Sequence, residues 1–148
     1  MFKHILIPTD GSRLALKGVK AGARLARATG ARVTGLYVVP PYVAPMYGEG
    51  VVYVPGYSVT EYRRNGERAA RRALAAVIAE ARAAGVAFVT KVVHGRPAWE
   101  GIVRTARAGK CDAVVMASHG RGGLGGVILG SETQRVLAHS KIPVLVVR

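Results

Sequence analysis

The chain has 148 residues, half of them apolar (50%), with 22 Lys and Arg against 8 Asp and Glu for a formal net charge of +14. That length fits one domain spanning residues 1–148, the apolar half excludes a disordered chain despite the charge, and the single cysteine, Cys111, excludes a disulfide framework or a cysteine-based zinc cluster. Lys, Arg or Glu interrupts every apolar stretch before the roughly 18–20 residues a membrane span needs, and Met1-Phe2-Lys3-His4 does not open a secretory signal, so no membrane association and a cytoplasmic location are expected.

Ile5-Leu6-Ile7 is a short continuous apolar run, the pattern of a strand buried on both faces. It ends at Pro8-Thr9-Asp10-Gly11-Ser12, where Ser12 is placed to cap a helix over about 13–28 that stops near Thr29-Gly30. In that helix Arg13, Lys17, Lys20, Arg24 and Arg27 recur at spacings of 4, 3, 4 and 3, a single stripe opposite Ala15, Val19, Gly22 and Ala26. Such a stripe is the solvated face of a helix whose back is buried. The small residues Ala15, Gly18 and Gly22 would let that back lie close to a sheet.

Val33 to Val39 reads as the second strand, ended by Pro40-Pro41. Residues 40–58 hold four prolines and three glycines, and five of the six tyrosines lie in or just beside them. A loop of that length either packs its aromatics or serves a ligand or partner. A helix is expected from Thr60 to Ala84, closed by Gly85, then a strand from Val86 to Val93. Gly95-Arg96-Pro97 opens a helix that runs to Gly109, Asp112 to Ala117 forms the fourth strand, and a helix over about 131–139 precedes the last strand, Val144 to Val147. Alternating strands and helices call for a mostly parallel sheet covered on both faces.

In such sheets ligands bind beyond the carboxyl ends of the strands. One segment with suitable chemistry is Pro8-Thr9-Asp10. The other runs from Ala117 to Thr133 and holds six glycines between 120 and 130. Glycines let main-chain N–H groups approach an anion, and Gly130-Ser131 opens a helix whose first amides favour negative charge. Ser131 and Thr133 add hydroxyls there. The alternative is a plain turn with an ordinary helix cap, which needs one or two glycines rather than six. The loop is neither a Gly-Lys-Ser/Thr phosphate loop nor a GxGxxG at the first helix.

The segment resembles the phosphate motif of the ATP-binding branch of the universal stress protein family: Gly, two residues, Gly, nine residues, then Gly-Ser/Thr. Gly120, residues 121–129 and Gly130-Ser131 match it, and Ala117 stands at the first glycine. The resemblance covers nearly the whole chain, including Ile5 to Ser12, Gly95-Arg96-Pro97, Asp112, Ser118 to Arg121 and Pro143 to Val147. It implies an α/β fold, a single-domain open sheet of five parallel strands in the order 3-2-1-4-5 with helices on both faces, of the adenine-nucleotide alpha-hydrolase-like kind. It further implies that Asp10 bonds the ribose hydroxyls, Pro8 and Thr9 shape the adenine side, and Val38 meets the base through its main chain. Met116 and Ala117 would line the sugar and base, while Gly120, Gly130, Ser131 and Thr133 would hold the phosphates of ATP with Mg2+. Arg121 would add a phosphate contact.

The function so implied is an ATP-binding sensor or regulator in stress response. No catalytic residue is expected, because no side chain stands out as a water-positioning base, and slow ATP hydrolysis is the most the segment supports. His4, His94 and His139 lack metal-ligand spacing, Cys111 reads as a small apolar residue and Trp99 as packing. Two rivals remain. An ATP-pyrophosphatase-like enzyme domain would carry a Ser-Gly-Gly-x-Asp-Ser type loop where Pro8 to Ser12 stands, and a basic nucleic-acid-binding module would bind with steep salt dependence. Nucleic acid is not the expected partner. The apolar edge strand Val144–Val147 would be covered by a second subunit, giving a homodimer.

Overall fold

The computed structural model describes residues 1–43, 58–119 and 129–148. Strand β1 (His4–Pro8) leads through Ser12 into helix α1 (Arg13–Thr29). The Ser12 hydroxyl accepts the Ala15 N–H at 3.0 Å, satisfying one of the amides a helix start leaves open. The five cations of the α1 stripe are all exposed, and Ala15, Gly18, Val19, Gly22, Ala23 and Ala26 are buried. Strand β2 (Arg32–Val39) follows, then α2 (Val59–Ala84), whose Ser58 and Glu61 form a reciprocal capping box. Strand β3 (Phe88–His94), α3 (Ala98–Ala108), β4 (Ala113–Ala117), α4 (Ser131–His139) and β5 (Val144–Val147) complete the described chain.

The five strands are parallel and lie in the order β3-β2-β1-β4-β5, as the resemblance implies. Ile5, Ile7, Val33 and Val115 pack with α1 and α2 on one face. Leu6, Leu36, Val114 and Met116 pack with Ile102 and Ala106 of α3 and Val136 of α4 on the other. The alternation is the pleat of a sheet covered on both sides.

Two glycines set how closely α1 lies on the sheet. A Cβ at Gly22 would fall 2.5 Å from Cδ1 of Ile7, and one at Gly18 would fall 2.9 Å from the main-chain nitrogen of Ala117. The helix therefore rests directly on β1 and on the end of β4.

Several boundaries shift by a residue or two, and two of the shifts have a clear local reason. β3 starts at Phe88 rather than Val86, because the Val86 N–H bonds the Ala81 carbonyl at 3.0 Å in the closing motif of α2. α3 closes the same way one residue past Gly109: the Cys111 N–H reaches the Ala106 carbonyl at 2.9 Å, and the left-handed position falls on Lys110 (φ 50°).

Candidate functional site

The winding direction reverses between β1 and β4, so the chain leaves β1 towards α1 on one face and β4 towards α4 on the other. The two departures open a cleft. The ladder between the two strands pairs Ile5 with Ala113 and Leu6 with Val114, and both chains turn away just beyond it.

The β1 wall is a turn held by its own side chains. Thr9 is buried, its N–H donates to the Leu36 carbonyl at 2.9 Å, and its hydroxyl accepts the Gly11 N–H at 3.2 Å. The Asp10 carboxylate accepts the Ser12 N–H at 2.9 Å. These bonds fix the path from Thr9 to Ser12 and leave Pro8 and Asp10 half-buried at the lip. On β2 the ladder to β1 ends at Leu36. By strand alternation the main-chain polar groups of Val38 point to the same side, beyond the last residue of β1. Its side chain faces Gly101 of α3, where a Cβ would come within 2.7 Å of Cγ2.

The β4 wall is tied at one carbonyl. Met116, Ala117 and Ser118 are buried, and the Ser118 N–H donates to the Val147 carbonyl at 2.8 Å. The Ser118 carbonyl accepts the Gly130 N–H at 2.9 Å, so the loop between them is closed at its base by one main-chain bond. The approach is close enough that a Cβ at Gly130 would sit 3.2 Å from the Ser118 oxygen and 3.3 Å from Cα of His119. Ser118 Oγ and His119 Nδ1 lie 3.0 Å apart, a contact between the two side chains. α4 starts at Ser131, exposed, with no side-chain cap, so its first amides have no intrahelical acceptor.

Thr133 is used differently from the phosphate contact the resemblance implies. It is 2% exposed and its hydroxyl donates to the Ala117 carbonyl at 3.2 Å, pinning α4 to the end of β4. Gly120 and Arg121 lie outside the described residues, as does most of the Pro- and Tyr-rich segment 40–58. The structure thus brings Pro8, Thr9, Asp10, Met116, Ala117, Gly130, Ser131 and Thr133 to one switch point, with Val38 one strand away.

Glu132 is a site residue that sequence reasoning missed. Its Oε2 accepts the Trp99 N–H at 2.7 Å, capping a helix whose own start at Pro97 supplies no side-chain cap. The bond joins the first turns of α3 and α4, and Trp99 stacks on His139 with ring centroids 4.5 Å apart. A glutamate in a helix's first turn is so common that nothing in the sequence marked this one. Among the described residues no group of three His, Cys, Asp or Glu could hold a metal ion.

The model of the Universal stress protein family matches residues 1–148. The universal stress protein YxiE of Bacillus subtilis is 32% identical over 149 residues, covering 100% of both chains. A solved universal stress protein in complex with cAMP superposes with a TM-score of 0.71 at 24% identity, covering 99% of this chain and 97% of the other. The universal stress protein from Archaeoglobus fulgidus in complex with dAMP gives 0.69 at 17% identity, with coverages of 100% and 98%.

Proposed function

The chain belongs to the universal stress protein family, and from that premise we propose that it binds ATP, with Mg2+, between the ends of β1 and β4 and works as a nucleotide-dependent sensor or regulator in a stress response. The observation that carries this reading is the closure of the loop by Gly130 on Ser118. It ties the amide end of α4 to the end of β4, the strand beside the one that leads into the Asp10 turn. Helix amides offer an anion fixed donors and the positive end of the dipole at no side-chain entropy cost.

In this reading Asp10 takes the ribose hydroxyls, and the main chain of Val38 reads the base beyond the end of β1. Gly130 and Ser131 take the phosphates, with Gly120 and Arg121 contributing from the loop. Pro8, Thr9, Met116 and Ala117 form the apolar walls, and Thr133 holds α4 in place. Two structural neighbours with adenine nucleotides, cAMP and dAMP, support an adenine-shaped ligand. Mg2+ fits a site with few protein carboxylates, since that ion is ordinarily held by one or two of them together with the ligand's phosphates.

The reading is one of nucleotide binding, with slow ATP hydrolysis as the most it includes. A cytoplasmic location and a homodimer belong to the same proposal. β5 pairs with β4 alone among the described strands and leaves Leu145 48% exposed, an edge that a second copy would cover. Light scattering at micromolar concentration should give twice the chain mass, and a monomer would remove the dimer.

The test of the central claim is to denature purified protein, identify any released nucleotide, and titrate ATP, ADP, AMP and cyclic AMP by calorimetry with and without Mg2+. ATP should bind well below about 1 mM, roughly 4 kcal/mol of binding free energy. If none of the four binds that tightly, the proposal is wrong.

A further inference from the structure

A groove of about 440 Å³ lies on the α3 face of the sheet, towards the opposite end from the nucleotide cleft. Val89 of β3 is left 55% exposed there. The groove floor is His4 from β1, Arg32 and Thr34 from β2, and Val89 and Lys91 from β3, and Thr105 of α3 forms a wall.

The lining carries two side-chain cations. Arg32 and Lys91 are exposed, and neither forms a salt bridge among the described residues. A carboxylate that acts on His4, that of Asp112, accepts the N–H groups of Lys3 at 2.8 Å and His4 at 3.1 Å. Burial pushes the Asp112 carboxyl up, but those two donors and its own N–H outweigh it and hold it below its ordinary range.

His4 is a buried titratable group of the lining. It is 7% exposed; Nε2 bonds the Thr34 hydroxyl at 2.8 Å, while Nδ1 is buried with no hydrogen-bond partner. A buried polar atom left so costs about 1–3 kcal/mol. The Gly109 backbone beside the ring favours its protonated form. Burial, then Arg32 and more weakly Lys91, lower the imidazole pKa, against Gly109 and Asp112, which raise it.

We propose that this groove binds a small organic anion, its carboxylate or phosphate head between Arg32 and Lys91 and its apolar body along Val89. The volume suits a small molecule. The anion would cancel the field of the two cations at His4, so binding takes up a proton on the imidazole.

The experiment follows the His4 imidazole signals of the full chain by NMR, against pH and against phenyl phosphate, with benzyl alcohol as the uncharged control. Phenyl phosphate should shift the His4 signals and raise their titration midpoint. Lys91→Ala and Arg32→Gln, both at exposed positions, should each weaken that response about tenfold. The proposal is overturned if His4 does not respond by about 10 mM phenyl phosphate, a binding free energy under roughly 3 kcal/mol. It is equally overturned if both variants respond like the parent chain, or if benzyl alcohol does as well.

Discussion

At the C-terminal ends of β1 and β4 the proposed site is built from main-chain amides and hydroxyls with one carboxylate, Asp10, whereas the proposed groove towards the other end of the sheet is built from the side chains of Arg32, Lys91 and His4. Amides are positioned by the fold, do not titrate and lose no rotamer freedom, so a site made from them keeps its strength across pH. Side-chain cations attract from further away but are screened by salt, with a range near 10 Å at about 0.1 M ionic strength. Among the described residues the groove therefore draws on side-chain cations, and the proposed cleft on glycine placement and main-chain amides.

The sharpest way to separate the two is Gly130→Val. Its added atoms would press on Ser118 and His119 at the base of the loop. ATP affinity should fall by about 100-fold, roughly 2.7 kcal/mol, while the His4 response to phenyl phosphate stays unchanged. Calorimetry and the imidazole signals read both ends of one sample, and a parallel loss at both would erase the distinction.

A smaller effect concerns the groove end alone. The His4 pKa is lowered from its ordinary value of 6.5, so the folded chain binds this proton less readily than the unfolded chain. Stability from His4 is then fully present above pH 6.5 and is lost as pH falls through the folded value. Urea denaturation between pH 7.5 and 5 should show this decline, and His4→Gln should flatten that part of it without altering ATP affinity.

The smallest effect is at Lys110, a non-glycine in a left-handed position (φ 50°) behind α3. Lys110→Gly removes that strain and should raise unfolding stability by about 0.5–1 kcal/mol, measured by the same urea titration. An unchanged midpoint would mean the position is unstrained.

Much of this was legible beforehand because it is periodic. The buried run of β1, the amphipathic α1 and its Ser12 cap follow from hydrophobic spacing and cap chemistry, and they emerged with ends within a residue or two. The two walls of the cleft were legible as compositions, Pro8 to Asp10 and the glycines up to Gly130. Their meeting at one switch point came from the resemblance, since strand order is not written in any single segment. Three features stayed hidden. The late start of β3 depends on which carbonyl the Val86 N–H takes, the use of Thr133 depends on a carbonyl 16 residues away, and the groove assembles residues from three strands and a helix. Each is a contact between distant residues whose types are ordinary.

The two close contacts beneath α1 differ in what faces them. At Gly22 the obstacle is the tip of the Ile7 side chain, so a larger residue there could be rescued by trimming Ile7. At Gly18 the obstacle is the main chain of Met116 and Ala117, which no second substitution can shorten. Position 18 is therefore without a suppressor, and the spacing between α1 and the last residue of β4 is inherited from the backbone rather than negotiated among side chains.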